Sequence, residues 1–138
     1  EKLAVRGIVV LLQPTSPLRS LEDLRASLDL FERSGSDLVL TVTVADSSVL
    51  KWGELSDNGF FRPLSSGKYV FSNRQSLPPV YKPNGAVYVF NAEWLIKNKV
   101  LEKANTISAV KMPNRRSYDV DTLNDLFTCQ EILNKARE

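Results

Sequence analysis

Three groups of residues in this chain have the types and spacing to do chemistry. The first is Gln13-Pro14-Thr15-Ser16-Pro17, after Leu11-Leu12 and the apolar run Gly7-Ile8-Val9-Val10, which reads as a buried strand. Prolines so close together end a strand, because proline brings no N–H to a ladder. The carboxyl end of a strand is where an open α/β sheet reads its ligand. Gln13, Thr15 and Ser16 would there offer an amide and two hydroxyls to a polar molecule, although an ordinary strand-end amide explains Gln13 as well. The second group is Asp119-Val120-Asp121, just ahead of a helical pattern. If that triplet is extended, both carboxylates share a face. Two hard oxygen ligands beside a helix start suit a Mg²⁺ that also holds phosphate oxygens; solvent-facing or capping aspartates account for the same residues. The third group is Arg74-Gln75-Ser76-Leu77-Pro78, followed by Tyr81-Lys82-Pro83-Asn84-Gly85-Ala86-Val87-Tyr88. A guanidinium matches a carboxylate bidentately, and Asn-Gly supplies a tight turn with positive φ. A hairpin turn with surface cations is the plainer account. Lys51 beside Trp52 adds a further cation, and Tyr88 an aromatic that core packing also explains.

Composition limits what these groups can do. The 138 residues suffice for one domain with a core. The formal charge of +2 gives no concentrated basic face of the kind nucleic acid requires. Arg115-Arg116 is the only adjacent basic pair, equally a solvated loop or a phosphate contact. There is no histidine, which removes Ser-His-Asp and Cys-His nucleophilic sites and imidazole metal sites. The single cysteine, Cys129, has no disulfide partner and lies in a helical pattern, where it reads as a small core residue in a reducing compartment. Any catalysis must rest on carboxylates, lysine, arginine, amides or hydroxyls. No apolar run approaches the ~20 residues of a membrane span, and Glu1-Lys2-Leu3-Ala4-Val5-Arg6 is not a signal peptide.

The elements that must hold these groups alternate. A strand over about Gly7–Leu12 leads to a helix whose N-cap is Ser20, with Asp23 at N3 of a capping-box-like pair. Leu21, Leu24, Leu28 and Phe31 fall on one helical face, and Gly35 is the stop. Asp37–Val44 is the next strand. The βαβ succession predicts a parallel sheet. From Ser47 to Pro83 the chain is broken by Gly, Pro, Ser and Asn, with short apolar pieces such as Val49-Leu50-Lys51-Trp52 and Gly59-Phe60-Phe61. That predicts hairpin and loop without a large core of its own. Strand character returns at Gly85–Phe90. Asn91 caps a short helix over Ala92–Asn98, and Thr106–Met112 is a further strand. A last helix begins near Thr122, with Leu123, Leu126, Phe127 and Leu133 on its apolar stripe and Asp125 near its N-terminus.

Taken together and in order, Leu11-Leu12-Gln13-Pro14-Thr15-Ser16-Pro17-Leu18-Arg19, Arg74-Gln75-x-Leu77-Pro78, Pro83-Asn84-Gly85-Ala86-Val87-Tyr88 and Asp119-Val120-Asp121 resemble the acylneuraminate cytidylyltransferases, over essentially the whole chain. The resemblance implies a Rossmann-like, GT-A-like three-layer α/β sandwich, here incomplete. It also implies a protruding dimerisation and substrate arm at 47–83, within a single domain fragment over 1–138. The implied reaction is attack of the anomeric hydroxyl of a nonulosonic acid on the α-phosphate of CTP, giving a CMP-sugar and pyrophosphate. Asp119 and Asp121 match the family's Mg²⁺-binding, catalytic aspartates. Gln13 matches a contact to the nine-carbon acid, and Arg74, with Lys51 as companion, the cations that hold its carboxylate. Lys82 stands where arginine is also seen, keeping the charge without the fork. Asn84 and Tyr88 match residues of the sugar pocket. The physical logic agrees, since a sugar carboxylate wants Arg or Lys and a triphosphate wants Mg²⁺ on hard oxygens.

The resemblance sets further expectations. The family carries about ninety residues, half an α/β domain, before the Gln-Pro-Thr-Ser-Pro motif, including a Gly- and Lys/Arg-containing phosphate loop. In this chain Gln13 lies close to residue 1 and no such loop is present. The chain is therefore expected to be a C-terminal part that holds the sugar side and the aspartates, is inactive alone, and needs a partner. That partner would be its N-terminal piece or a second copy in a homodimer. A cytoplasmic location is implied for a bacterial protein, and a nuclear one for an animal relative. Two alternatives stay open: a non-catalytic α/β module for sugar-acid binding or interaction, and a cytidylyltransferase for pseudaminic or legionaminic acid. The Gln-Pro-Thr-Ser-Pro loop argues against deoxy-octulosonic acid.

Overall fold

The computed structural model describes residues 6–135, so residues 1–5 of the stretch weighed as a leader lie outside them. The chain divides into two compact units, one of residues 1–43 with 83–138 and one of residues 44–82.

The larger unit is built on a mixed four-stranded sheet. Its strands are β1 (Ile8–Leu11), β2 (Leu38–Ala45), β5 (Val80–Asn91) and β6 (Ile107–Lys111), in the order β1-β5-β2-β6. β1 and β5 are antiparallel, with Ile8 opposite Asn91 and Leu11 opposite Tyr88. β2 and β6 are parallel, from Leu38 opposite Ile107 to Val42 opposite Lys111. The expectation of a parallel sheet is thus met at β2 and β6 and not at β1 and β5. β1 and β2, consecutive in sequence, are separated by β5. Burial explains the order, because Asn84–Val87, Val89 and Phe90 are all buried, the mark of a strand covered on both faces, which belongs at a sheet's centre. β1, expected to be buried, is an edge strand with Ile8 and Leu11 exposed.

Local signals decide the helices. α1 (Leu21–Ser34) starts at Ser20, whose hydroxyl accepts from the Asp23 N–H while Asp23 accepts from the Ser20 N–H, a complete capping box. It ends at Gly35 in the left-handed region at φ 65°. Leu24, Leu28 and Phe31 pack on the core of Val39, Ala86, Val87, Val89 and Met112, whereas Leu21 stays exposed. α3 (Ala92–Asn98) is capped by Asn91, which accepts from the N–H groups of Glu93 and Trp94. α4 (Leu123–Lys135) opens with Thr122 and Asp125 in a second reciprocal pair: the Thr122 N–H and hydroxyl donate to Asp125 Oδ2, and the Asp125 N–H donates to Thr122 Oγ1. Cys129 is the buried residue of α4, and burial, then the Asp125 charge, push its thiol up. Leu123, Leu126, Phe127 and Leu133 of the expected stripe are exposed.

The smaller unit contains the hairpin of β3 (Gly53–Leu55) and β4 (Phe61–Pro63), the single turn α2 (Gly67–Val70), and 3₁₀ turns at Ser47–Lys51 and Arg74–Ser76. Leu77 is its buried hydrophobic residue, while Trp52, Leu55, Phe60, Phe61, Leu64 and Phe71 are exposed, Phe71 by 90%.

Candidate functional site

In the larger unit the structure brings the Gln13 loop, the Asn84-Gly85 pair and the aspartate segment together. The Gln13 loop turns tightly, with the Ser16 N–H donating to the Gln13 carbonyl at 3.2 Å. Arg19 Nη1 donates to the carbonyls of Gln13 and Ser16, each at 2.7 Å, so the proline-rich turn is tied from below by a guanidinium. The Ser16 hydroxyl, fully buried, donates to the Asn84 carbonyl at 3.2 Å. From the other side the Val120 N–H donates to the Thr15 carbonyl at 2.8 Å, which places Asp119 and Asp121 on either side of a residue bonded to the Gln13 loop.

Asn84-Gly85 is not the hairpin turn its type suggests. Both residues lie inside β5 and are buried, with Gly85 in the left-handed region at φ 73°. A Cβ on Gly85 would run into the Gln13 carboxamide, so glycine here serves a close approach as well as a backbone angle. The Asn84 amide is fully engaged by the protein. Its Oδ1 accepts from Thr41 Oγ1 at 2.6 Å and from the Ala86 N–H at 3.2 Å. Its Nδ2 donates to Ser117 Oγ at 2.9 Å and to Met112 Sδ at 3.3 Å. Two acceptor and two donor positions exhaust an amide, so in this arrangement Asn84 ties β5 to β2 and to the 112–117 segment and has no free group for a ligand.

Tyr88 is half-buried and pairs with Leu11 across β5 and β1. Asp119 and Asp121 are exposed, and neither carboxylate enters an ion pair among the described residues. The Asp121 N–H donates to Asp125 Oδ2 at 3.3 Å, so the second aspartate leads straight into the capping pair of α4. Hydrogen bonds from Thr122, and from the Asp121 backbone, hold the Asp125 carboxyl below its ordinary value against burial. Among the described residues no group of three or more Asp, Glu, Cys or His stands ready for a metal ion. The oxygen pair alone still fits Mg²⁺, which is commonly bound by one or two carboxylates with substrate phosphates and water completing its shell.

The remaining cations belong to the smaller unit. Lys51 ends the turn Ser47–Lys51, and Lys82 is exposed at the unit's boundary. Arg74 is exposed and paired with Asp46 at 3.2 Å. Asp46 also accepts from the Ser48 N–H at 2.9 Å, and that bond and the nearby guanidinium hold its carboxyl below the ordinary value. Arg74 is thus engaged by an acid of its own unit.

One pair escapes the motifs. Arg116 Nε donates to Asp23 Oδ2 at 3.0 Å and Nη2 to Asp23 Oδ1 at 2.8 Å. Burial works to raise the Asp23 carboxyl, but hydrogen bonds from Arg116 and from the Ser20 N–H and hydroxyl outweigh it and hold the group below its ordinary value. A buried acid needs such a partner; the sequence offered only the capping pattern at Asp23 and a basic pair at Arg115-Arg116.

The larger unit is thus a mixed α/β fold that brings together a strand-end amide loop, a buried Asn-Gly kink and a segment carrying two exposed aspartates. No family model matches the chain. It is 31% identical over 118 residues to an N-acylneuraminate cytidylyltransferase of Streptococcus agalactiae serotype V, covering 86% of this chain and 28% of that protein. It is 27% identical over 135 residues to the CMP-N,N'-diacetyllegionaminic acid synthase of Legionella pneumophila, covering 94% and 55%. It is 28% identical over 127 residues to the post-translational flagellin modification protein B of Campylobacter coli, covering 91% and 52%. Over most of its own length the chain is therefore similar to acylneuraminate cytidylyltransferases. It spans about a quarter of the streptococcal relative and about half of the other two.

Proposed function

We propose that this chain supplies the sugar-acid and metal side of a cytidylyltransferase site. In the reaction, the anomeric hydroxyl of a nonulosonic acid attacks the α-phosphorus of CTP. The bond to the β-phosphate oxygen breaks, pyrophosphate leaves, the hydroxyl proton passes to solvent or base, and a CMP-sugar forms. The observation that carries this is the meeting of three motifs through the Val120–Thr15, Ser16–Asn84 and Asn84–Ser117 hydrogen bonds. In this reading Gln13 contacts the sugar and Tyr88 lines the pocket. Arg74, Lys51 and Lys82 are the cations this reading offers to a sugar carboxylate, and Asn84 shapes the wall within the larger unit. Asp119 and Asp121 would hold Mg²⁺, which when bound neutralises charge developing on the transferring phosphoryl group. The relatives' names support both sialic and legionaminic acids as substrates. The mixed sheet is read as part of a Rossmann-like, GT-A-like sandwich, and the exposed apolar residues of 44–82 as an arm that joins a second copy. A cytoplasmic setting fits a CTP-dependent reaction. Among the described residues no helix is long and apolar enough to cross a membrane.

The test is calorimetric titration of the chain with N-acetylneuraminic and N,N'-diacetyllegionaminic acids. Turnover of CTP is measured on the longest form that its gene expresses. Binding of one acid that Gln13→Ala weakens about tenfold or more, the effect of losing a hydrogen bond to a charged or polar ligand, supports the sugar site. Loss of turnover in Asp121→Asn supports the metal role, and normal turnover there refutes it. Sugar binding without turnover in any form would identify a non-catalytic module.

A further inference from the structure

Arg116 anchors the aspartate segment from a side of the larger unit that none of the motifs marks. Its planar guanidinium grips both oxygens of Asp23, a residue 93 positions away in sequence, and the Asp23 side chain is only 4% exposed. Such bidentate, desolvated pairs are geometrically specific in a way that exposed ion pairs are not. Asp23 is itself held firmly. It is the N3 residue of α1, and its Oδ2 also accepts the Ser20 N–H at 2.8 Å and the Ser20 hydroxyl at 2.9 Å. The anchor is thus a capped helix end.

The segment it anchors depends on such ties. After β6 the chain makes a 3₁₀ turn at Asn114–Arg116 and then runs without regular structure until α4. Side chains and single backbone bonds set its course. Thr43 Oγ1 donates to Asn114 Oδ1 at 2.5 Å, Ser117 Oγ accepts from Asn84, and the Val120 N–H reaches Thr15. Asp119 and Asp121 follow Arg116 within this stretch.

We propose that Arg116 is a positioning residue: its two-bond grip on Asp23 fixes the 117–121 segment so that Asp119 and Asp121 can share one divalent cation. This rests on the metal role proposed above for those aspartates. A lysine at 116 keeps the charge, but as a point donor it cannot hold both oxygens.

The test compares the full chain with Arg116→Lys, Asn91→Ala and Asp121→Asn. Mn²⁺ affinity is read from the free-ion signal in electron paramagnetic resonance, and amide hydrogen exchange at Val120 by NMR. Arg116→Lys is expected to lose about tenfold or more in Mn²⁺ affinity, the scale seen when a group that orients metal ligands is removed. Exchange at Val120 should also be faster, because its bond to Thr15 opens more readily. Asn91→Ala, which removes the cap of α3 and touches neither Asp23 nor Arg116, should lower the melting temperature while leaving both readouts at parent values. Parent-like exchange at Val120 in Arg116→Lys overturns the proposal whatever the metal does. Faster exchange with unchanged Mn²⁺ affinity overturns its metal half, and equal losses in Asn91→Ala show general loosening and overturn it too. A parent that binds Mn²⁺ no better than Asp121→Asn overturns the metal site itself, while exchange at Val120 still decides the clamp. If Arg116→Lys does not fold, Asp23→Asn, which leaves the cap an acceptor oxygen, is read in its place.

Discussion

At Gly85 one hydrogen atom in place of a methyl group decides where the Gln13 carboxamide can lie. The residue sits at φ 73° with the Gln13 side chain packed close against its backbone. Gly85→Ala therefore meets two penalties: a left-handed backbone that costs an L-residue roughly 1–2 kcal/mol, and a collision that pushes Gln13 aside. Urea denaturation should show a loss of at least that size, and sugar-acid binding should fall further than in a variant equally destabilised elsewhere. Asp23 gives a pH dependence. Its carboxyl is held below the ordinary value in the folded protein, so the folded state binds that proton less readily than the unfolded chain. The stabilisation is complete above the unfolded carboxyl's pKa, about 3.9, and is lost as pH falls through the lower folded value. Urea midpoints should drop as pH is taken from about 5 to below about 3, with a weaker drop in Arg116→Gln, where burial is no longer opposed by the guanidinium. These residues also show where sequence stops informing. Asn84 and Gly85 were legible as a special pair, but their burial within a strand was not, because it depends on Thr41, Met112 and Ser117, which are remote in sequence.

Elements were legible where the deciding contacts are local. Ser20 with Asp23, Gly35, and Asn91 each act within one helical turn, and all three bound their helices as the sequence suggested. Strand order was not legible, since β5 enters between β1 and β2 through pairings that span most of the chain. α4 combines both situations. Its start at Thr122 and Asp125 is local and clear, but the apolar face of Leu123, Leu126 and Phe127 finds no cover within the described residues. Thr122→Ala should shorten or loosen that first turn, with a cost of about 0.5–2 kcal/mol typical of a lost N-cap. Because the Asp121 N–H bonds the same Asp125 oxygen, the loss should also show as faster exchange at Asp121.

For the whole molecule, the division at residues 44 and 82 separates a unit with a continuous core from one whose large apolar side chains are mostly on the surface. The composition of 47–83, rich in Gly, Pro, Ser and Asn, made the weak core of this segment legible in advance. If the segment is the arm of a homodimer, removing Gly53–Tyr69 should convert the dimer to a monomer in sedimentation velocity, with the helical circular dichroism of the larger unit retained. An unchanged dimer would rule that role out.

The chain leaves the larger unit after Thr43 and returns at Pro83, and just inside those points Thr41 and Asn84 are joined by a 2.6 Å hydrogen bond. That bond works as a clasp on an excursion whose two ends are already together. Closing a longer or shorter loop between such ends changes the entropy only as the logarithm of its length. The 44–82 segment is thus open to evolutionary rewriting of its length, while the clasp keeps the two ends of the excursion joined.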